Sequence, residues 1–276
     1  MILIFFVVAI CGIIGYFAYD LVNSNNINSN AQSAIDEFEN IVKRDPEFME
    51  SIWWVAKSLW DKGLIYEGQY ILPYCPRCST VLSTHELAQG YKDVNDPAIT
   101  IRFKVVKAGP SINDDEITNG KTYFLAWTTT PWTLPSNTAL AVGSGIDYVF
   151  VKTFNPYSNI PVIVVLAKAL LGSFFPEKNA ELSFEDYKPG DKAIPFKILA
   201  ECKGKDLKGT EYEPLTDFVS PMGNAFKVIE GDYVSTADGT GIVHIAPTFG
   251  ADDDRVAKQA GIVPMFVVDK DGKNQP

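Results

Sequence analysis

GTGIVHIAPTFGADDD, residues 239–254, places a strand, a break and a helix start within sixteen residues. Ile242, Val243 and Ile245 are strand formers, Pro247 and Gly250 interrupt them, and residues 252–261 (DDDRVAKQAG) read as a short helix closed by glycine. His244 and Asp253 then stand at opposite ends of one strand-to-helix turn. Such a turn, where strand ends meet a helix N-terminus, commonly binds a small polar group. Plainer roles stand beside that one: a histidine between apolar residues is often a satisfied core residue, and acids opening a helix usually cap it or complement its dipole.

A second polar constellation lies upstream in residues 123–137, YFLAWTTTPWTLPSN. An apolar strand runs into Thr128, Thr129 and Thr130, then into two prolines flanking Trp132. Threonine is a β-former, so the three could simply finish the strand. Because adjacent strand residues face opposite sides, three hydroxyls in a row put at least one toward the interior. The prolines stiffen the exit and withhold backbone donors. A hydroxyl-lined wall on a rigid turn can orient a polar substrate or water; a polar strand end is the alternative.

Around these stretches the pattern is mainly β. Ile99, Ile101, Phe103 and Val105 alternate with Thr100, Arg102 and Lys104, as in a half-buried strand. Further strands are predicted over 123–127, 138–142, 148–152, 160–165, 194–202, 225–229 and 242–246, with helices over 167–174 and 252–260. The expected fold class is α+β, mainly β: a closed or nearly closed β-barrel with peripheral helices, without internal repeat. The barrel domain spans 98–276 and follows a helical and C-x-x-C connective segment, 33–97. In that segment Pro46 opens a helix whose stripe Ile52, Val55, Ala56 and Leu59 ends before Gly63, with Trp53, Trp54 and Trp60 suited to packing.

Residues 1–19 carry no charged side chain and reach the length of a membrane-spanning helix, without the basic flank and cleavage site of a secretory signal. The apolar N-terminal segment 1–22 is therefore expected to be a helix, either membrane-anchoring or buried, and the Asn/Ser-rich stretch 23–32 a flexible linker.

Cys75 and Cys78 form a C-x-x-C knuckle, half of a tetrahedral zinc set, with His85 a candidate third ligand. Cys11 and Cys202 make no second pair, and four cysteines with two histidines do not suggest a disulfide scaffold. The net charge of −10 argues against a general polyanion binder, so any contact with nucleic acid must be local or assisted.

The pair WTTTPWTLPSN and GTGIVHIAPTFGADD closely resembles the editing domain of isoleucyl-tRNA synthetases, from near Met49 to the last residue. Valyl and leucyl relatives interrupt the threonine triad with an arginine, so the intact triad points to the isoleucyl branch. The resemblance implies a β-barrel that hydrolyses mischarged valyl-tRNA, with the acceptor end of the isoleucine tRNA as partner, a cytoplasmic setting and no cofactor required for editing. It implies an α-ammonium clamp at Asp253, an amino-acid pocket lined by His244, a wall positioning ester and water at Thr128, Thr129 and Thr130, and pocket and terminal-adenosine contacts at Trp132 and Asn137. It also places the cysteine knuckle in a zinc-bearing connective element. The HIGH and KMSKS strings of a synthetic site do not occur, so ligation of amino acid to tRNA is not expected from these residues. A non-catalytic membrane-anchored scaffold and an inert gene fragment are the alternatives.

Overall fold

The computed structural model describes residues 46–276 apart from 69, 110–116, 118–120, 217–222, 270–272 and 274–276. The apolar segment 1–22, the linker 23–32 and the start of the connective segment lie outside the described residues. No helix among the described residues is long and apolar enough to cross a membrane. The chain divides into two compact units, Met1–Gln69 and Tyr70–Pro276. In the first, α1 (Pro46–Asp61) starts on a proline and gives way to Gly63 at φ +68°; Trp53, Trp54 and Trp60 are exposed on it.

The second unit opens with a hairpin of β1 (Tyr74–Cys75) and β2 (Thr80–Val81), which form their own two-stranded sheet. α2 (Thr84–Ala88) follows, started by a reciprocal cap: Glu86 N–H donates to Ser83 Oγ at 3.2 Å, and Ser83 N–H to Glu86 Oε2 at 2.7 Å.

The remaining strands are β3 (Ile99–Lys107), β4 (Thr122–Thr128), β5 (Ala139–Val142), β6 (Asp147–Phe154), β7 (Pro161–Ala167), β8 (Phe196–Lys203), β9 (Glu211–Tyr212), β10 (Lys227–Glu230) and β11 (Ile242–Ile245). Six close into a barrel in the order β4-β3-β9-β10-β5-β11, β11 returning to β4. β4 makes this possible by changing partner along its length. Residues Thr122, Tyr123 and Phe124 pair in parallel with β7, whereas Trp127 pairs with Val243 of β11. β7, β6 and β8 then extend from β4 as an antiparallel flap.

Alternation explains the layering. Phe103, Phe124, Leu140, Val142, Tyr212 and Ile242 fill the interior, with Phe103 and Tyr212 meeting edge to face at 5.2 Å. Leu125, Val149, Val151, Val162, Val164 and Phe196 form a second layer on the other face. β7 lies between the two layers and is apolar without alternation from Val162 to Ala167. Each large side chain so buried contributes about 1.5–3 kcal/mol. Ion pairs such as Lys104–Glu213 are half-exposed and each contributes about 0–1 kcal/mol, so the apolar layers decide the fold.

The glycines of the GTG stretch have a packing role. Gly241 lies at φ +72°, and a Cβ there would come within 2.4 Å of the Ala167 Cβ. That close approach lets Ala167 N–H donate to Thr240 O at 2.8 Å and Tyr148 OH donate to Gly241 O at 2.6 Å. The loop is thereby fixed over the end of β7, and β11 enters the barrel in register.

Candidate functional site

β4 and β11 run parallel, so both finish at one end of the barrel, and the two motifs meet there although Thr133 and His244 are 111 residues apart in sequence. β4 ends on Thr128, which is buried, while Thr129 and Thr130 are exposed at the rim. The interior placement of one hydroxyl is the one alternation requires. Thr130 N–H donates to Thr128 Oγ1 at 3.0 Å, and the two hydroxyls lie 3.2 Å apart. The chain then turns through a 3₁₀ segment, Pro131–Ser136, whose first-turn proline has no amide to leave unpaired. Trp132 stands 56% exposed on it.

His244 is 5% exposed and engaged at both ring nitrogens. Asn137 Nδ2 donates to Ala139 O at 2.9 Å, which fixes the orientation of its amide. The same nitrogen lies 3.2 Å from His244 Nδ1, which must then accept, so the proton is on Nε2. Nε2–H donates to Thr133 Oγ1 at 2.7 Å, and Thr133 Oγ1–H passes on to Thr130 O at 2.8 Å. Tyr212 OH closes the other end on Asn137 Oδ1 at 2.6 Å. This relay ties the barrel interior to the threonine rim. It also leaves Asn137, 3% exposed, with its amide spent on four internal partners, the longest contact being to Ile245 O at 3.5 Å.

Burial pushes the His244 imidazole down from 6.5 to about 4. The folded protein therefore holds a neutral ring that the unfolded chain protonates more readily. Stability is complete above pH 6.5 and is lost as pH falls from about 6.5 toward 4. At pH 5 this one residue is expected to cost about 2 kcal/mol relative to pH 7.5. Urea unfolding at the two pH values checks it: His244→Gln should shrink the difference by that amount, and an unchanged difference would contradict a buried neutral ring.

α3 (Ala251–Gln259) opens with Asp252, Asp253 and Asp254, and the three acids have different fates. Asp252 pairs with Arg255 at 3.3 Å and Asp254 with Lys258 at 2.6 Å. Asp253 alone of the three has no cation among the described residues. Its Oδ2 accepts from Ala246 N–H at 3.0 Å and its Oδ1 from Tyr233 OH at 3.0 Å. Those bonds anchor the carboxylate to the end of β11. Burial nevertheless raises its pKa above the ordinary carboxylate range, with the two donors opposing and the Asp252 charge adding. The helix-start position, which by itself favours the ionised form, is outweighed by desolvation. A cation delivered to Asp253 reverses that balance.

Thr128, Thr129, Thr130, Trp132, Asn137, His244 and Asp253 thus belong to one end of the barrel. Cys75 and Cys78 belong instead to the β1–β2 hairpin. Hydrogen bonding from Cys78 lowers the Cys75 thiol pKa, while the Cys78 thiol is raised by its bond to Cys75. Among the described residues no group of three or more His, Cys, Asp or Glu side chains could hold a metal ion. His85 Nε2 lies 3.1 Å from Gln89 Nε2 on α2. The described residues thus fit half of a tetrahedral zinc set. Sequence reasoning missed Thr133, Tyr212 and Tyr233. Thr133 lay inside the quoted motif; neither tyrosine carries a pattern, since their roles depend on contacts 75 and 20 residues away.

Residues 31–248 match the family model described as tRNA synthetases class I (I, L, M and V). The isoleucine–tRNA ligase of Bacteroides fragilis is 54% identical over 244 residues, covering 88% of this chain and 21% of that protein. That of Cytophaga hutchinsonii is 58% identical over 231 residues, covering 83% and 20%. The chain therefore spans about a fifth of the length of the curated relatives it matches. Among solved structures, the editing domain of P. knowlesi cytosolic leucyl-tRNA synthetase aligns at a TM-score of 0.43 and 15% identity, covering 63% of this chain and 66% of that one. The P. falciparum counterpart aligns at 0.41 and 14%, covering 59% and 67%.

Proposed function

The chain belongs to the class I tRNA synthetases of the isoleucine, leucine, methionine and valine group, and from that premise we propose that its barrel is an editing hydrolase for valyl-tRNA. The observation that carries this reading is the uncompensated carboxylate of Asp253, held at the same barrel end as the threonine rim. A mischarged aminoacyl-tRNA brings an α-ammonium and an ester. Asp253 takes the ammonium, a contact that favours its ionised form and opposes the effect of burial. Thr129 and Thr130, the exposed hydroxyls, orient the ester carbonyl and the attacking water, with Thr128 fixing Thr130 from inside.

His244 acts as a shaped neutral wall. With Nδ1 accepting and Nε2 donating internally, it has no lone pair for a water and is not a general base. Asn137 enters as the positioning residue that fixes its tautomer. A wall of fixed shape is what discrimination between isoleucine and valine requires, because one methylene is worth only about 1–3 kcal/mol in an apolar pocket, isoleucyl enzymes being themselves the established illustration of that limit. Water breaks the ester C–O bond, giving valine and the free terminal ribose hydroxyl. No residue here needs a metal for this step. Hydrolysis of valyl-tRNA above the uncatalysed rate, without ATP and in EDTA, is the expected result; loss of activity in EDTA, restored by zinc, would overturn the metal-free step.

A further inference from the structure

A cavity of about 570 Å³ lies between the outer face of the β3-β4-β7-β6 sheet and the segment 174–194. None of the candidate site residues lines it. We propose that it is a ligand site for a small amphipathic anion, a phosphate or carboxylate head on a flat apolar body. Its volume is that of an ordinary small-molecule site. The floor is apolar, with Leu125, Val164 and Phe175.

The polar groups converge on one kind of ligand. Asn155 and Asn179 line the cavity at 4% and 7% exposure. Asn155 Oδ1 accepts the N–H groups of Tyr157 at 2.8 Å and Ser158 at 3.0 Å, which commits its oxygen and leaves its amide nitrogen with two donors and no acceptor among the described residues. The Asn179 side chain has no hydrogen-bond partner among the described residues either. Thr138 Oγ1 is the one buried side-chain polar atom without a partner among the described residues, so the unpaired amide atoms of Asn155 and Asn179 reach accessible space and can bond a ligand that enters the cavity. Arg102 and Lys192 stand at the cavity and neither has an ion pair among the described residues; the Arg102 guanidinium lies over the Tyr123 ring, 4.9 Å from its centroid. Among the described residues no carboxylate lines the cavity, in a chain of net charge −10. Donors and cations without an acid select an anion, and the apolar floor selects a body attached to it.

Calorimetric titration of the full chain with 1-naphthyl phosphate and 1-naphthoate tests this, with 1-naphthol and inorganic phosphate each supplying one half of the ligand. At least one naphthyl anion should bind saturably at one site, tenfold or more tighter than either half. The naphthyl anion that binds reports which head group the site prefers. Arg102→Met and Lys192→Met should each weaken it at least fivefold and leave 1-naphthol unchanged. Both side chains are exposed, so the fold should survive, and thermal unfolding verifies that. Lys104→Met, which removes a cation paired with Glu213 outside the cavity, should have no effect. Equal binding of 1-naphthol, binding indifferent to Arg102 and Lys192, phosphate alone matching the naphthyl anions, or no saturable binding at millimolar probe would each overturn the proposal.

Discussion

Asp253→Ala is expected to lower kcat/KM for valyl-tRNA hydrolysis by about 10²–10³-fold, or about 3–4 kcal/mol of transition-state stabilisation, while the barrel stays folded. The size follows from the environment: the carboxylate is half-buried, has no cation among the described residues, and would meet the substrate charge away from bulk water. Alanine also leaves Ala246 N–H and Tyr233 OH without an acceptor, a structural cost of about 1–3 kcal/mol. Asp253→Asn separates the two effects. Asparagine keeps an oxygen for Ala246 N–H, removes the charge and offers Tyr233 OH an NH2 donor in place of its acceptor, so it should be nearly as inactive as alanine and closer to the parent in stability. N-acetylvalyl-tRNA makes the same test from the substrate side, because it has no ammonium. The parent protein should hydrolyse it no faster than Asp253→Ala hydrolyses valyl-tRNA. Rapid hydrolysis of the acetylated ester, or an active Asp253→Asn, would remove the ammonium clamp.

Asn137→Ala is expected to destabilise the protein by about 3 kcal/mol, the largest effect of any single polar substitution at this end of the barrel. One truncation orphans three buried groups: Tyr212 OH, His244 Nδ1 and the Ala139 carbonyl. Each orphan carries a desolvation penalty of about 1–3 kcal/mol, partly relieved if water enters the space. Tyr212 is fully enclosed and its phenol pKa is raised well above the ordinary value, so it cannot ionise as an escape. Chemical denaturation of Asn137→Ala, Tyr212→Phe and the double variant forms a cycle. The double variant should be less destabilised than the sum of the singles, since both remove the same bond. Strict additivity, or a loss below about 0.5 kcal/mol for Asn137→Ala, would show that the relay contributes little.

β3 was legible because it buries one face. Phe103 and Val105 alternate with Arg102 and Lys104, and that period places β3 without further help. The helix beginning at residue 251 was equally legible from its three leading acids and from Gly261, which lies at φ +68°. β9 was not legible, for a physical reason: it has two residues, and what makes it a strand is pairing with Val105 and Lys107 on one side and Lys227 on the other. Barrel closure was expected from strand count, but the means of closure could not be, because the partner change of β4 depends on neighbours 41 and 116 residues away.

At the site, the threonine triad, His244 and Asp253 announced themselves by clustering in sequence. What the cluster could not show was which of three adjacent acids is without a cation. That depends on Arg255 and Lys258 reaching back along α3 to Asp252 and Asp254, and on Ala246 N–H holding Asp253 inward. The helix-start argument favoured a comfortably ionised Asp253. Burial, a tertiary property, raises its pKa instead.

The editing account turns on discrimination. The most direct test is hydrolysis of valyl and isoleucyl esters carried on the same isoleucine tRNA, at matched concentrations, with this chain as the only protein present. The account predicts that the valyl ester is consumed much faster than the isoleucyl ester, and that Asp253→Ala consumes the valyl ester about 10²–10³-fold more slowly than the parent. Equal consumption of the two esters, or none from a folded protein at high concentration, would contradict it.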